Sequence, residues 1–145
     1  MKQRSFFILT AGGCLAVFLG GLIVGCGGMA YKPAGPVQCA TAIVWEVAPE
    51  ADVTLLNCSI KPYAGWQKKP VLHFEIGVRN KAESQKRFRV QFVLPKEGLA
   101  GGGLLPASET PPVLAPGKEA KGVYPVNIEK LPQEIRVFVK TISVD

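Results

Sequence analysis

The chain has 145 residues, with 17 basic and 11 acidic side chains and a formal net charge of +6. This length admits one small domain together with an N-terminal segment and excludes a second hydrophobic core. The charge is only mildly basic, and without an Arg-rich arm, a zinc-finger spacing or an RNA-recognition motif it predicts no nucleic-acid partner.

The first predicted element is an apolar run over residues 6–25, which carries no charge and follows the basic residues Lys2 and Arg4. A basic start followed by an apolar stretch is the layout of an export signal. About 20 apolar residues can also cross a bilayer as a helix. Residues 1–25 are therefore either a signal peptide or a membrane-anchor helix.

The end of this run contains a short motif around Cys26. Ile23 is branched and apolar, Val24 is apolar, Gly25 is small, and Cys26 follows. These residues resemble the lipobox of bacterial lipoproteins, in which the signal peptide is cut before the cysteine and the thiol takes the lipid. The resemblance implies that Cys26 is the acylated first residue of the mature chain. Two or more acyl chains buried together would anchor the protein firmly. Gly27 follows where inner-membrane lipoproteins of the enterobacterial kind carry Asp, which favours the outer membrane.

Residues 26–36 are the next predicted segment. Their glycines, prolines and small side chains predict a lipidated cysteine followed by a flexible tether. The other cysteine of the apolar run, Cys14, follows Ala-Gly-Gly and lacks the large apolar residue of a lipobox, so it is assigned to the signal. The folded domain is expected over residues 37–145.

Within that domain, short β-rich runs alternate with turn residues. The two clearest strands are residues 71–80 and 86–95, which alternate apolar and polar side chains and are predicted to form a hairpin across residues 80–85. Their apolar faces consist of Leu72, Phe74, Ile76, Val78, Phe88, Val90, Phe92 and Leu94. Pro125 lacks an N–H group, which predicts that residues 120–128 form an edge or bulged strand.

Six or seven such runs predict an all-β, antiparallel sandwich. The segments HFEIGVRN (73–80) and VLAPGKEAKG (113–122) resemble the immunoglobulin-like and fibronectin-type-III-like domains of bacterial envelope proteins. The resemblance implies an immunoglobulin-like β-sandwich of about seven strands, preceded by the N-terminal hydrophobic helix. The antibody-type Cys-Trp-Cys spacing is absent, so no antigen-receptor relationship is implied.

Cys39 and Cys58 are the two cysteines of the domain, and alternation points both of them inward. A turn at residues 49–52 would bring them together, and an oxidising compartment favours a disulfide over two buried thiols. Closing a loop of about 20 residues contributes on the order of 3 kcal/mol in the chain-entropy model. Two cysteines and one histidine supply too few ligands at zinc-like spacing, so no metal site is predicted.

The sequence shows no catalytic motif. His73 is the only histidine and lies beside Glu75 on a strand, but no nucleophile elbow accompanies it. Residues 101–103 are three glycines without the following lysine of a phosphate-binding loop, and they predict a flexible loop. We therefore predict no catalytic residue, no cofactor and no enzymatic activity.

Two features are candidates for partner binding. The first is a basic group around the predicted hairpin, which is either a solvated tip or a docking point for an acidic protein, glycan or headgroup surface. It consists of Arg79, Lys81, Lys86, Arg87 and Arg89. The second is the long segment 95–117, read as a structureless loop, whose Leu99, Leu104 and Leu105 either pack on the domain or insert into a partner.

Together these features predict a lipid-anchored, non-enzymatic envelope protein that faces the periplasm or the exterior. It would contact membrane lipid through Cys26 and act as an interaction or accessory subunit for an envelope or membrane protein. The tether would raise the local concentration of the domain at the membrane. An alternative is a structural subunit of a membrane complex that keeps its N-terminal helix uncleaved. A small periplasmic ligand-binding domain or hydrolase ranks lower.

Overall fold

The computed structural model describes residues 30–143, and these residues form two four-stranded β-sheets. The strands are β1 Val37–Gln38, β2 Ala42–Val47, β3 Ala51–Tyr63, β4 Lys69–Asn80, β5 Arg87–Leu94, β6 Leu99–Leu105, β7 Glu119–Val126 and β8 Glu134–Ile142. The first sheet has the order β1-β3-β4-β7 and the second has the order β2-β8-β5-β6. The predicted all-β sandwich is confirmed with eight strands, and the predicted N-terminal helix lies outside the described residues.

The sandwich is not wholly antiparallel. β1 pairs parallel with β3, and β2 pairs parallel with β8. β1 runs beside β3 in the same direction, and the chain then turns at residues 39–41 and crosses to the second sheet. There β2 runs opposite to β1, beside β8 and in the same direction as β8. Alternation in a sequence shows which side chains share a face, but it carries no information on strand direction.

The core lies between the two sheets and is built by the residues that alternation placed inward. The predicted apolar faces of β4 and β5 are buried, as are Ile135, Val137 and Val139 of β8. Phe74 from the first sheet and Phe92 from the second stack with their ring centroids 4.2 Å apart. This part of the prediction is confirmed.

The predicted hairpin across residues 80–85 is wrong, because β4 belongs to the first sheet and β5 to the second. Asn80 directs this crossing. Its side chain is fully buried, and its Nδ2 donates to the carbonyl oxygens of Ser84 and Leu114, each at 2.9 Å. Its Oδ1 accepts a hydrogen bond from the N–H of Ala82 at 2.9 Å. These bonds turn the chain out of the first sheet instead of folding it back alongside β4.

The segment 95–117 is also not the structureless loop that was predicted, because β6 pairs with β5 along seven residues. The three glycines lie in this strand for a steric reason. A Cβ at Gly101 would lie 2.5 Å from the ring of Phe92, and a Cβ at Gly103 would lie 2.8 Å from the ring of Tyr124. Aromatic rings occupy the space that a side chain would need at Gly101 and Gly103, and the backbone carbonyl of Val90 occupies it at Gly102.

A disulfide joins Cys39 to Cys58, as predicted, with the two Cα atoms 4.4 Å apart. Cys58 lies within β3, and Cys39 lies in the short connection between β1 and β2. The bond therefore attaches the crossing segment to a central strand of the first sheet. The prediction that Pro125 lies on an edge strand is confirmed as well, because β7 is the last strand of that sheet.

Candidate interaction surfaces

The residues before β1 form an arm that packs on β3. The hydroxyl of Tyr31 donates a hydrogen bond to Oδ1 of Asp52 at 3.0 Å and accepts one from the N–H of Val53 at 2.7 Å. Its ring lies 5.6 Å, centroid to centroid, from that of Trp45. Burial raises the pKa of Tyr31 to about 12, because the phenolate would lose hydration there.

Further along the arm, the N–H of Ala34 donates to the carbonyl of Val53, and the N–H of Leu56 donates to the carbonyl of Pro36, each at 3.0 Å. Gly35 lies so close to the backbone of Thr54 that no side chain would fit between them. Of the predicted tether, residues 31–36 thus belong to the folded unit, which begins at Tyr31. Cys26 lies outside the described residues and precedes Tyr31 by five positions.

We call the end of the sandwich at which Tyr31 lies the arm end. Strand registers place several chain segments there. Asp52 pairs with Arg79, and Arg79 pairs in turn with Glu119 at the start of β7. In the second sheet, Arg87 at the start of β5 pairs with Ile142 at the end of β8.

Four of the five predicted basic residues meet at this arm end. Arg79 is exposed and lies 3.7 Å from Glu119, in an ion pair that water screens. Lys81 is exposed in the connection between the sheets, while Lys86 and Arg87 are half-buried at the start of β5. The structure thus brings basic residues from both sheets together on one surface, which also carries the carboxylates of Asp52 and Glu119.

Arg89, the fifth basic residue, belongs to a different surface. It lies on the outer face of β5, opposite Leu104 of β6, and Gln91 lies opposite Gly102. Together with residues 100–104 they line an open groove of about 410 Å³. The groove could not be predicted from the sequence, because the three glycines at 101–103 indicated a loop and not the strand that forms its wall.

The predicted partner-binding leucines separate into two groups. Leu105 is fully buried, and the half-buried Leu99 packs against the core, so both pack on their own domain. Leu104 is half-buried and stands beside Arg89 at the groove. Only Leu104 therefore remains available to a partner.

At the opposite end of the sandwich, β3 and β4 continue as a two-stranded ribbon. Tyr63 contacts Trp66 with the ring centroids 4.9 Å apart, and Trp66 is 38% exposed. Gln67 and Lys68 follow with positive φ angles of 54° and 60°, a conformation that costs non-glycine residues energy. We call residues 63–69 the hairpin tip. The prolines at 62 and 70 and the glycine at 65 indicated a turn, but they did not show the length of the strands on either side.

His73 lies on β4 beneath this tip. Its Nδ1 is 3.1 Å from the carbonyl oxygen of Val71, and its ring lies 6.0 Å from that of Tyr63. Within residues 30–143, no three His, Cys, Asp or Glu side chains are grouped to hold a metal ion. No helix in this part of the chain is long and apolar enough to cross a bilayer.

Comparisons with protein-family models, with curated proteins and with solved structures gave no match.

Proposed function

We propose that this protein is a lipid-anchored envelope lipoprotein whose immunoglobulin-like β-sandwich acts as an interaction or accessory subunit outside the cytoplasm. The observation that carries this proposal is the position of Tyr31. The folded unit begins there, five residues after the cysteine of the lipobox-like motif. An acylated Cys26 would therefore be followed almost directly by the domain.

Chain length then determines which surface lies near the lipid. Whatever conformation the intervening residues adopt, five residues span at most about 18 Å. The arm end, with Arg79, Lys81 and Arg87, is thus the part of the domain that an acylated Cys26 keeps close to the headgroups. A basic residue near an anionic surface contributes about 1 kcal/mol of attraction, and the carboxylates of Asp52 and Glu119 at the same end offset part of the total.

With the arm end near the headgroups, the hairpin tip at the other end of the sandwich would lie farther from the bilayer. β3 runs from Ala51 at the arm end to Tyr63 at the tip, and its 13 residues span up to about 40 Å. Trp66 and Lys68 would stand in the aqueous space, where soluble or membrane-bound partners are accessible. A subunit held in this way needs only weak contacts, because tethering replaces a bimolecular encounter with an intramolecular one.

Mass spectrometry of the native protein tests the anchor. We expect a chain that begins at Cys26 and carries the added mass of acyl chains such as palmitate. Cys26→Ser should accumulate as the uncleaved precursor without that mass, and the matched control Cys14→Ser should be processed like the parent chain. An intact Met1 in the native protein would refute the lipoprotein and support the uncleaved membrane helix.

The accessory role needs a separate comparison. Crosslinking in intact cells should recover the same envelope or membrane protein with the parent chain and with Cys14→Ser. The yield should fall at least tenfold when residues 1–26 are replaced by a cleavable signal sequence without a lipobox cysteine, because the released domain is no longer concentrated at the membrane. Equal yields from both variants would show that lipid anchoring does not support the interaction.

A further inference from the structure

β6 is an edge strand with a free side. It is the last strand of the second sheet and pairs only with β5. In an edge strand, alternate N–H and C=O groups point away from the sheet and have no ladder partner. Among the described residues, no backbone hydrogen bond outside the strand ladders involves residues 99–105. Its outward backbone groups are therefore available to another strand.

The other edges carry features that discourage such pairing, since charges, prolines and short strands blunt an edge. β7 has Glu119, Lys121 and Pro125, β2 has Glu46, and β1 is only two residues long. The sequence of β6, LAGGGLL, contains neither a charge nor a proline. β6 is thus the least protected long edge of the sandwich.

The outer face next to β6 has the shape to receive side chains from an added strand. Neighbouring strands lie about 4.8 Å apart, so the added strand would lie two spacings from β5. The small residues Ala100 and Gly102 leave the space between them open, and Arg89 and Gln91 border it on the far side. Side chains of the added strand could therefore reach over β6 to β5.

The charge of this groove indicates the chemistry of the partner. Arg89 is exposed, and within residues 30–143 no carboxylate forms an ion pair with it. A carboxylate suits this position because a guanidinium binds it with two parallel hydrogen bonds.

We propose that β6 binds an extended peptide segment of a protein partner as a fifth strand of the second sheet, with an acidic side chain of that segment against Arg89. This inference rests on the proposed function, for which it names the contact surface. Backbone hydrogen bonds would supply the affinity, and the groove would select the side chain. Glycines disfavour strand pairing, so the contact is weak and depends on tethering for its occupancy.

Selection from a displayed library of random heptapeptides tests the proposal, with the full chain purified in mild detergent as the target. We expect enrichment of extended sequences that carry Asp or Glu at one position. Arg89→Glu should weaken the selected peptides at least tenfold and should itself select Lys or Arg at that position. The matched control is Arg136→Glu, which changes the same charge on the outer face of β8, outside the groove. Equal binding by the parent chain and Arg89→Glu, or no enrichment, would refute the acidic contact.

A second measurement tests strand addition without altering the protein. Two versions of a selected peptide are made, each N-methylated at one of the two sets of alternate residues. The version methylated at the residues whose N–H groups face β6 should bind at least tenfold more weakly, while the other version should bind like the unmodified peptide. Equal binding of both methylated peptides would refute pairing through the backbone. A concentration-dependent dimer of the protein that the peptide dissociates would instead assign β6 to a second copy of the chain. None of these results changes the acyl mass at Cys26, so failure here is distinguishable from failure of the proposed anchor.

Discussion

Replacement of Asn80 tests how the chain passes from one sheet to the other. The side chain is fully buried and makes three hydrogen bonds, two donated by Nδ2 and one accepted by Oδ1. Asn80→Ala removes all of them and leaves the carbonyl of Leu114 and the N–H of Ala82 without these partners. The fold keeps its apolar core, so the variant reports on the crossing itself.

The expected loss follows from the burial of each bond. The bond to Leu114 is buried, but the carbonyl of Leu114 also accepts from the N–H of Lys86 at 3.0 Å, so removing the Asn80 donor costs about 0.5–1.5 kcal/mol. The bonds to Ser84 and Ala82 are partly buried and contribute about 0.5–1.5 kcal/mol each. The free energy of unfolding should therefore fall by about 3 kcal/mol, within a range of roughly 1.5–4.5 kcal/mol.

Asn80→Asp keeps the shape of the side chain but directs a carboxylate oxygen at two carbonyl oxygens. It should cost more than Asn80→Ala at neutral pH, because the buried charge would face two carbonyl oxygens with only the N–H of Ala82 donating to it. The difference should shrink at acidic pH, where the protonated carboxyl can donate one hydrogen bond. A pH-independent loss would contradict the assignment of Nδ2 as the double donor.

Urea unfolding of the full chain in mild detergent, followed by fluorescence of Trp45 and Trp66, measures these losses. The matched control is Ser84→Ala, which lies in the same connection and keeps the backbone carbonyl that accepts from Asn80. It should change the free energy of unfolding by no more than about 0.5 kcal/mol. If Asn80→Ala costs less than about 1 kcal/mol, or no more than this control, the side chain does not direct the crossing.

Three further predictions concern stability and use the same unfolding assay. Replacing Cys39 and Cys58 together by Ala should lower the free energy of unfolding by about 3 kcal/mol, since the bond closes a separation of 19 residues, and a change below about 1 kcal/mol would contradict this. Gly103→Ala places a methyl group 2.8 Å from the Tyr124 ring and should cost roughly 1–3 kcal/mol, whereas Ala100→Ser on the exposed face of the same strand should cost under about 0.5 kcal/mol. Burial raises the pKa of Tyr31 from 10.0 to about 12, so the contribution of Tyr31 to the free energy of unfolding is complete below pH 10 and declines as the pH rises towards 12. Tyr31→Phe should flatten this decline, and an unchanged slope would exclude Tyr31 as its source.

The faces of the strands could be predicted from the sequence because alternation is a local property. Phe74 on β4 and Phe92 on β5 point inward for the same reason, namely that every second residue of a strand shares a face. The strand faces required no knowledge of which strand pairs with which. The disulfide between Cys39 and Cys58 was predicted correctly, but β1 brings the two residues together by pairing with β3, whereas the turn at residues 49–52 joins strands of different sheets.

Strand partners could not be predicted, because they depend on contacts between residues far apart in the sequence. Asn80 directs the crossing through a carbonyl 34 residues away, that of Leu114, which no local pattern reveals. Gly103 likewise has its reason in the ring of Tyr124, which comes from the facing sheet. The basic surface was visible as a run of charges, but its position at the arm end became clear only when Tyr31 was found packed on β3.

The direction of β6 connects the two proposed surfaces. Its register with β5 places Leu105 opposite Phe88 and Leu99 opposite Leu94, so β6 runs along the axis that joins the ends of the sandwich. A strand added to it would begin or end near the arm end, within reach of a segment that rises from the same bilayer. Short flexible linkers give effective concentrations of about 1 mM, so a contact with a dissociation constant near that value would be half occupied if Cys26 is acylated as proposed. The glycines that make β6 a weak edge would then keep a free domain from binding the partner segment in solution, whereas the proposed lipid at Cys26 would allow binding at the membrane.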